Sequence, residues 1–274
     1  MKLKKRKVIV IIFFLSVLLL TVVFFLSPYS TALLKSKSHF INHISNDKVL
    51  YEPGAENYAD RVASYLPIAI KRVEQVHGLP FKESFNIYVC NTQKSLNEFI
   101  AHPPEVPIRG TVLFGNVFIA PSAFNWNGED THKGSLVHEL SHLHLSQQLG
   151  FWSNRVSLPV WFKEGLANFV CDCAGEVISD EEAISSIKNG YHFIPDNSGN
   201  IFKVKRSHDY ALNPPMLHKQ TKLFVTFLNE YDEKGFSDFL LDVQSDNSFA
   251  GAFENRMGAS IIELWDTFIL QIQN

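Results

Sequence analysis

Apolar side chains recur along this chain with two different periods, and the change of period divides it. Between residues 55 and 77, Tyr58, Val62, Leu66, Ile70 and Val73 fall every three or four positions, the spacing of one helix face, and Gly78 and Pro80 supply a stop. Phe85-Asn86-Ile87-Tyr88-Val89-Cys90 reads as a strand, residues 93–101 as a short helix, and residues 111–120 as a strand or hairpin closed by Pro121. From Thr131 onward the helical period takes over, through Leu223, Phe224, Phe227 and Leu228 to Ile261, Ile262, Leu264, Trp265, Phe268 and Ile269. The pattern predicts an α+β fold: a mixed α/β N-terminal lobe with a small sheet, then a mostly helical C-terminal lobe. A cleft between two such lobes is the natural place for chemistry.

Ahead of these elements lies a different pattern. Residues 8–27 form an uncharged apolar run of twenty, the length of a helix that spans a hydrocarbon core, and Lys2, Lys4, Lys5, Arg6 and Lys7 precede it. The expected organisation is a cytoplasmic basic segment at 1–7, a transmembrane signal anchor at 8–27, a linker at 28–50 and a folded domain at 51–274. The N-terminus is then cytoplasmic and the domain extracytoplasmic, single-pass, or secreted if the apolar segment is cleaved as a signal.

Composition narrows the function classes. With 274 residues, 46% hydrophobic and 19% charged, the chain is long and apolar enough for a sizeable core. Its 25 Lys and Arg against 28 Asp and Glu give a net charge of -3, and without the five basic residues of the first seven positions the body stands at 20 against 28, or -8. That balance gives no electrostatic case for nucleic acid. Three cysteines, Cys90, Cys171 and Cys173, cannot all pair within one chain, so they form no disulfide framework; a bridge from Cys90 to either of the others stays open.

The chemistry concentrates in two segments. Val137-His138-Glu139-Leu140-Ser141-His142 sets two histidines four residues apart on one helical face, where both imidazoles can meet one metal ion, with Glu139 turned about 100° towards a water on that ion. Leu136, Leu140 and Leu143 form the stripe that buries this helix, Asp130 or Thr131 can cap its start, and Gly150 its end. Pro159-Val160-Trp161-Phe162-Lys163-Glu164-Gly165-Leu166-Ala167 opens a second helix, in which Glu164 can complete a two-His, one-Glu triad that leaves zinc an open position.

Together the two segments resemble the gluzincin metallopeptidases, the zincin-like family that includes thermolysin-like and aminopeptidase N-like enzymes, through its pattern HELxH followed by WxxEGxA. The likeness covers roughly residues 53–268 and is strong between residues 137 and 169. It implies that His138, His142 and Glu164 ligate one Zn2+ per chain, that Glu139 is the general base, and that the substrate is a peptide or protein. It further implies a tyrosine or histidine steadying the oxyanion, for which Tyr210 and His218 are the candidates. Asn168 stands where thermolysin-like members carry an aspartate that orients a ligand histidine. The amine-binding G-x-M-E-N segment of aminopeptidase N-like members is missing, which argues against an aminopeptidase; residues 113–118 correspond to the edge strand. His144, six residues from His138, points away from the metal and is expected to be partly exposed, and Trp161 and Phe162 are expected to pack between the zinc helices. The expectation is a membrane-anchored zinc metallopeptidase; the alternative is a catalytically inactive peptidase-like binding domain tethered to the membrane.

Overall fold

The structure is a computed structural model that describes residues 13–19, 21–22, 30, 32, 34–103, 107–172, 177–197, 205, 207–245 and 248–273. Among them are ten α-helices and a five-stranded mixed sheet. The strands are β1 (Ile41–His43), β2 (Asn46–Tyr51), β3 (Ile87–Val89), β4 (Gly110–Leu113) and β5 (Asn116–Ile119), in the order β1-β2-β3-β5-β4. The three inner strands run parallel, Leu50 beside Tyr88 and Tyr88 beside Phe118, while β1 and β4 pair antiparallel at the two edges. Helices α1 (Glu56–His77) and α2 (Gln93–Phe99) make the two crossovers. Among the described residues all strands precede Pro121, and those after His132 are helical or loop, as the change of period predicts.

Residues 111–120 form a hairpin. Its two-residue turn is Phe114-Gly115, both at positive φ (49° and 72°), the conformation that matches strand twist. Phe114 holds that conformation despite its Cβ and stands exposed at the tip.

The C-terminal lobe is built around α3 (His132–Leu149), followed by α4 (Phe151–Val156), α5 (Val160–Cys171), α6 (Asp180–Lys188), α7 (Pro214–Tyr231), α8 (Glu233–Gln244), α9 (Phe249–Met257) and α10 (Ile261–Gln273). Helix α3 touches α1, α5, β4 and β5, so it is buried nearly all round. Trp161 and Phe162 lie fully buried among Phe193, Phe224, Phe239 and Phe249, so they pack α5 against α7, α8 and α9 rather than between the two helices of the motif. Aromatic pairs of this kind add to the area they bury.

Two expectations are corrected. Among the described residues no helix is long and apolar enough to cross a membrane. Within 8–27 the described residues are 13–19 and 21–22, all of them helical. The rest of that stretch lies outside the described residues. The transmembrane helix, and with it the single-pass membrane localisation, is therefore not supported. The segment at 28–50, expected to be a linker, contributes β1 and most of β2 to the sheet, with Val49 fully buried and Phe40 packed on Tyr88 and Phe99.

The cysteines also resolve. Cys90 is a free thiol, fully buried, and desolvation pushes its pKa far above the usual range. Cys171 is disulfide-bonded, so its bridge does not run to Cys90.

Candidate metal centre

Helix α3 carries different cargo on different faces. Leu136, Leu140 and Leu143 are fully buried, while His138 and His142, one turn apart, lie partly exposed on the side facing α5. Helix α5 begins directly after Pro159, whose extended backbone turns the chain into it, and Glu164 follows just over one turn in. The two helices pack together, and three ligand atoms meet between them. His138 Nε2 is 3.1 Å from His142 Nε2; Glu164 Oε2 is 3.4 Å from the first and 3.5 Å from the second.

The size of this triangle is the test of whether zinc fits. Zinc bonds of about 2.0–2.2 Å in a tetrahedron place neighbouring ligand atoms about 3.3–3.5 Å apart. The observed edges of 3.4 and 3.5 Å fall on one face of such a tetrahedron, and the third, 3.1 Å, is about 0.2 Å short of it. Among the described residues this is the only group of three or more metal-ligating side chains with ligand atoms so close.

Ring orientation supports the same use. His138 Nδ1 lies 3.1 Å from Asn168 Oδ1, so Nδ1–H donates to the amide and leaves a lone pair on Nε2, inside the triangle. Asn168, which stands where thermolysin-like members carry an aspartate, makes this bond as a neutral amide. Its Nδ2 also reaches the carbonyl of His218, tying α3 to α7 through α5.

Helix α7 approaches because Gly165 has no side chain. A Cβ there would stand 2.7 Å from the Thr221 carbonyl oxygen and 2.8 Å from Val225 Cγ2. This close approach delivers His218, whose Nε2 lies 3.6 Å from Glu164 Oε2 and whose ring stacks 6.2 Å from that of His138. Of the two oxyanion candidates, His218 is at the cluster. Tyr210 is elsewhere: it is buried, its hydroxyl donates to Asp196 Oδ1 at 2.7 Å, and its ring meets Phe193 and Lys205. Burial and the carboxylate beside it raise the phenol's pKa above the ordinary range.

Electrostatics separate the two carboxylates. Burial alone would raise Glu164, but His142, hydrogen bonds from His138 and His142, and the nearby His218 hold it well below the usual carboxylate range. Glu139 goes the other way: burial pushes its carboxyl up to about 7, the Glu164 charge adds to the rise, and His138 and Arg109 oppose it. A divalent cation in the triangle would add to that opposing pull. His218 is lowered by burial, against the attraction of Glu164, with the nearby Arg109 charge adding to the fall.

A cleft of about 950 Å³ opens over the triangle, bordered by β4 and its turn, His138, Glu139, His142, Glu164 and His218. Among the described residues strand β4 is a sheet edge with one side unpaired. Its first residue, Gly110, lies against Glu139: a Cβ there would fall 2.8 Å from Glu139 Cγ. Sequence reasoning missed Arg109, beside it, which belongs to no motif and reaches the site only because the sheet edge lies along α3. Its guanidinium Cζ lies over the Trp126 ring, 5.1 Å from the centroid, and its charge acts on Glu139 and His218. No protein-family model matches the chain, and no curated protein is significantly similar to it.

Proposed function

We propose that this chain is a zinc-dependent metallopeptidase that hydrolyses peptide bonds, with His138, His142 and Glu164 holding the ion and Glu139 as general base. The observation that carries the reading is the triangle of ligand atoms with near-tetrahedral edges, beside a glutamate outside the triangle. Zinc bound there supplies a Lewis acid that polarises the scissile carbonyl and acidifies the attacking water. Glu139, beside the triangle but not part of it, takes the proton from that water and passes it to the leaving amine. His218 stands over the cluster, where an imidazole N–H donates to the oxygen that gains charge in the transition state. The unpaired edge of β4 holds an extended peptide by main-chain hydrogen bonds. The resemblance of the two motifs to gluzincin metallopeptidases supports the same assignment.

The test is Glu139→Gln in the purified chain. Hydrolysis of a mixed peptide library is expected to fall by about 10²–10⁴-fold, while zinc, measured by metal analysis, stays near one per chain. Unchanged hydrolysis would sink the assigned base. A chain that binds zinc but cleaves no peptide bond, with or without Glu139, is instead a peptidase-like binding domain.

A further inference from the structure

A second pocket of about 430 Å³ opens from the same centre, sharing Gly110, His138, Glu139 and His218 with the main cleft. Its walls are apolar, formed by Ile108, Val177, Ile178 and Pro215, but three hydrogen-bond donors border it without partners. Trp126 Nε1 and Ser135 Oγ are buried and unbonded. The third is Arg109, whose guanidinium makes no ion pair or hydrogen bond among the described residues, although it is largely desolvated. Glu139 is near enough to feel its charge but forms no ion pair with it. The remaining cation on the wall, Lys219, is already paired with Asp180.

A guanidinium offers five N–H groups in a planar fork that matches a carboxylate. Arg109 lies over the Trp126 ring, its Cζ 5.1 Å from the centroid, so the aromatic face holds the cation at the pocket wall. A buried cation without a partner is costly, and burying it becomes favourable once an anion fills the pocket. We infer that this pocket receives a carboxylate of the substrate next to the scissile bond, held by Arg109 with Ser135 and Trp126, so that the chain prefers peptides with an acid at that place. The inference rests on the peptidase reading for its substrate class. The competing account makes Arg109 only an electrostatic neighbour of Glu139.

Two sources of carboxylate exist, an acidic side chain and a free C-terminus, and the experiment separates them. N-acetyl-Ala-Phe-Glu-Ala-amide is compared with its Gln counterpart, and N-acetyl-Ala-Phe-Ala as free acid with its amide. Binding to the metal-free full-length chain is measured by calorimetry, so that no carboxylate is read through a metal and no turnover intervenes. At least one acid is expected to bind about tenfold more tightly than its neutral partner, the scale of one charge-assisted hydrogen bond. That preference should vanish in Arg109→Gln and survive in part in Arg109→Lys. Equal binding within both pairs, or a preference that persists in Arg109→Gln, overturns the inference. If Arg109→Gln fails to fold by thermal unfolding, Ser135→Ala replaces it, with a smaller loss of preference expected and an unchanged preference counting against the pocket. Absence of hydrolysis in the zinc-loaded chain would remove the peptidase reading and leave the measured anion preference standing.

Discussion

His138 and His142 have ring centroids 4.7 Å apart at 81°, and His77 and His144 have theirs 4.5 Å apart at 60°. Both pairs lie on or against α3, at different angles around it, yet they do opposite things. In the first pair the Nε2 atoms face each other and a carboxylate closes the triangle. In the second each Nε2 is committed within the protein: His77 bonds Ser141 Oγ at 2.9 Å, and His144 donates to the Leu79 carbonyl at 2.8 Å. Gln148 approaches the same nitrogen of His144, and the pair is fully buried with no acid bonded to it. Proximity of imidazoles therefore does not make a metal site. The site needs uncommitted lone pairs, an anion to offset the ion's charge, and a side open to a cleft.

The sharpest way to break this comparison is to remove the anion. Glu164→Gln keeps the shape of the triangle but takes away the charge and the strongest donor atom. Its zinc affinity, measured by competition with a chelating dye, should fall by more than the ~10–100-fold typical of a residue that only orients a ligand. The two histidines are left as an imidazole pair much like His77 and His144. An affinity within a few-fold of the parent chain would mean that Glu164 is not a ligand.

The contrast also explains what could be read from the sequence. The spacing of His138 and His142, the stripe of Leu136, Leu140 and Leu143, and the start of the second helix at Pro159 are local, and local periodicity carries them. Glu164 was found because its helix has its own pattern. His144 shows the limit: the helical angle correctly turned it from the cluster of His138, His142 and Glu164, but not into a fully buried pair, because His77 comes from a helix more than sixty residues earlier. Tyr210 was a matter of residue type alone, and its hydroxyl is spent on Asp196. Arg109, β1 and β2 escaped for the same reason, since each takes its place from sheet pairing rather than from its neighbours in sequence. Gly165 stood in the motif, but its use, letting the Thr221 carbonyl approach, is visible only once α7 is placed.

A smaller effect tests how the two pairs keep their tautomers. His138 owes its exposed lone pair to Asn168, as His144 owes its committed nitrogen to Leu79. Asn168→Ala removes the acceptor for Nδ1–H and the link to the His218 carbonyl. Zinc affinity should drop by about 10–100-fold, less than for Glu164→Gln, with the stoichiometry still one at saturating metal. Asn168→Asp restores a stronger acceptor and should recover the affinity. A loss as large for Asp as for Ala would assign Asn168 to packing alone.

The smallest effect belongs to the committed pair, and it reads on stability rather than metal. Desolvation holds the pKa of His77 well below 6.5, helped by the charges of His144 and His142 and opposed by a hydrogen bond with Gln244; His144 is lowered too, by burial, against the Leu79 and Pro80 carbonyls and Glu74. The unfolded chain titrates these rings near 6.5, so below that pH it binds protons that the folded chain refuses. The contribution to stability is complete above about 6.5 and is lost as pH falls towards the folded values, by at most about 1.4 kcal/mol per pH unit for each ring. His77→Gln, which keeps a partner for Ser141 and removes one titrating ring, should flatten the decline in unfolding free energy of the metal-free chain between about pH 6.5 and 5. In the zinc-loaded chain the same variant should show the steeper additional loss that comes from protons displacing the ion at His138 and His142. If His77→Gln instead leaves the metal-free slope unchanged while altering zinc release, the two pairs are coupled across α3, and the division between a metal-binding pair and a structural one fails.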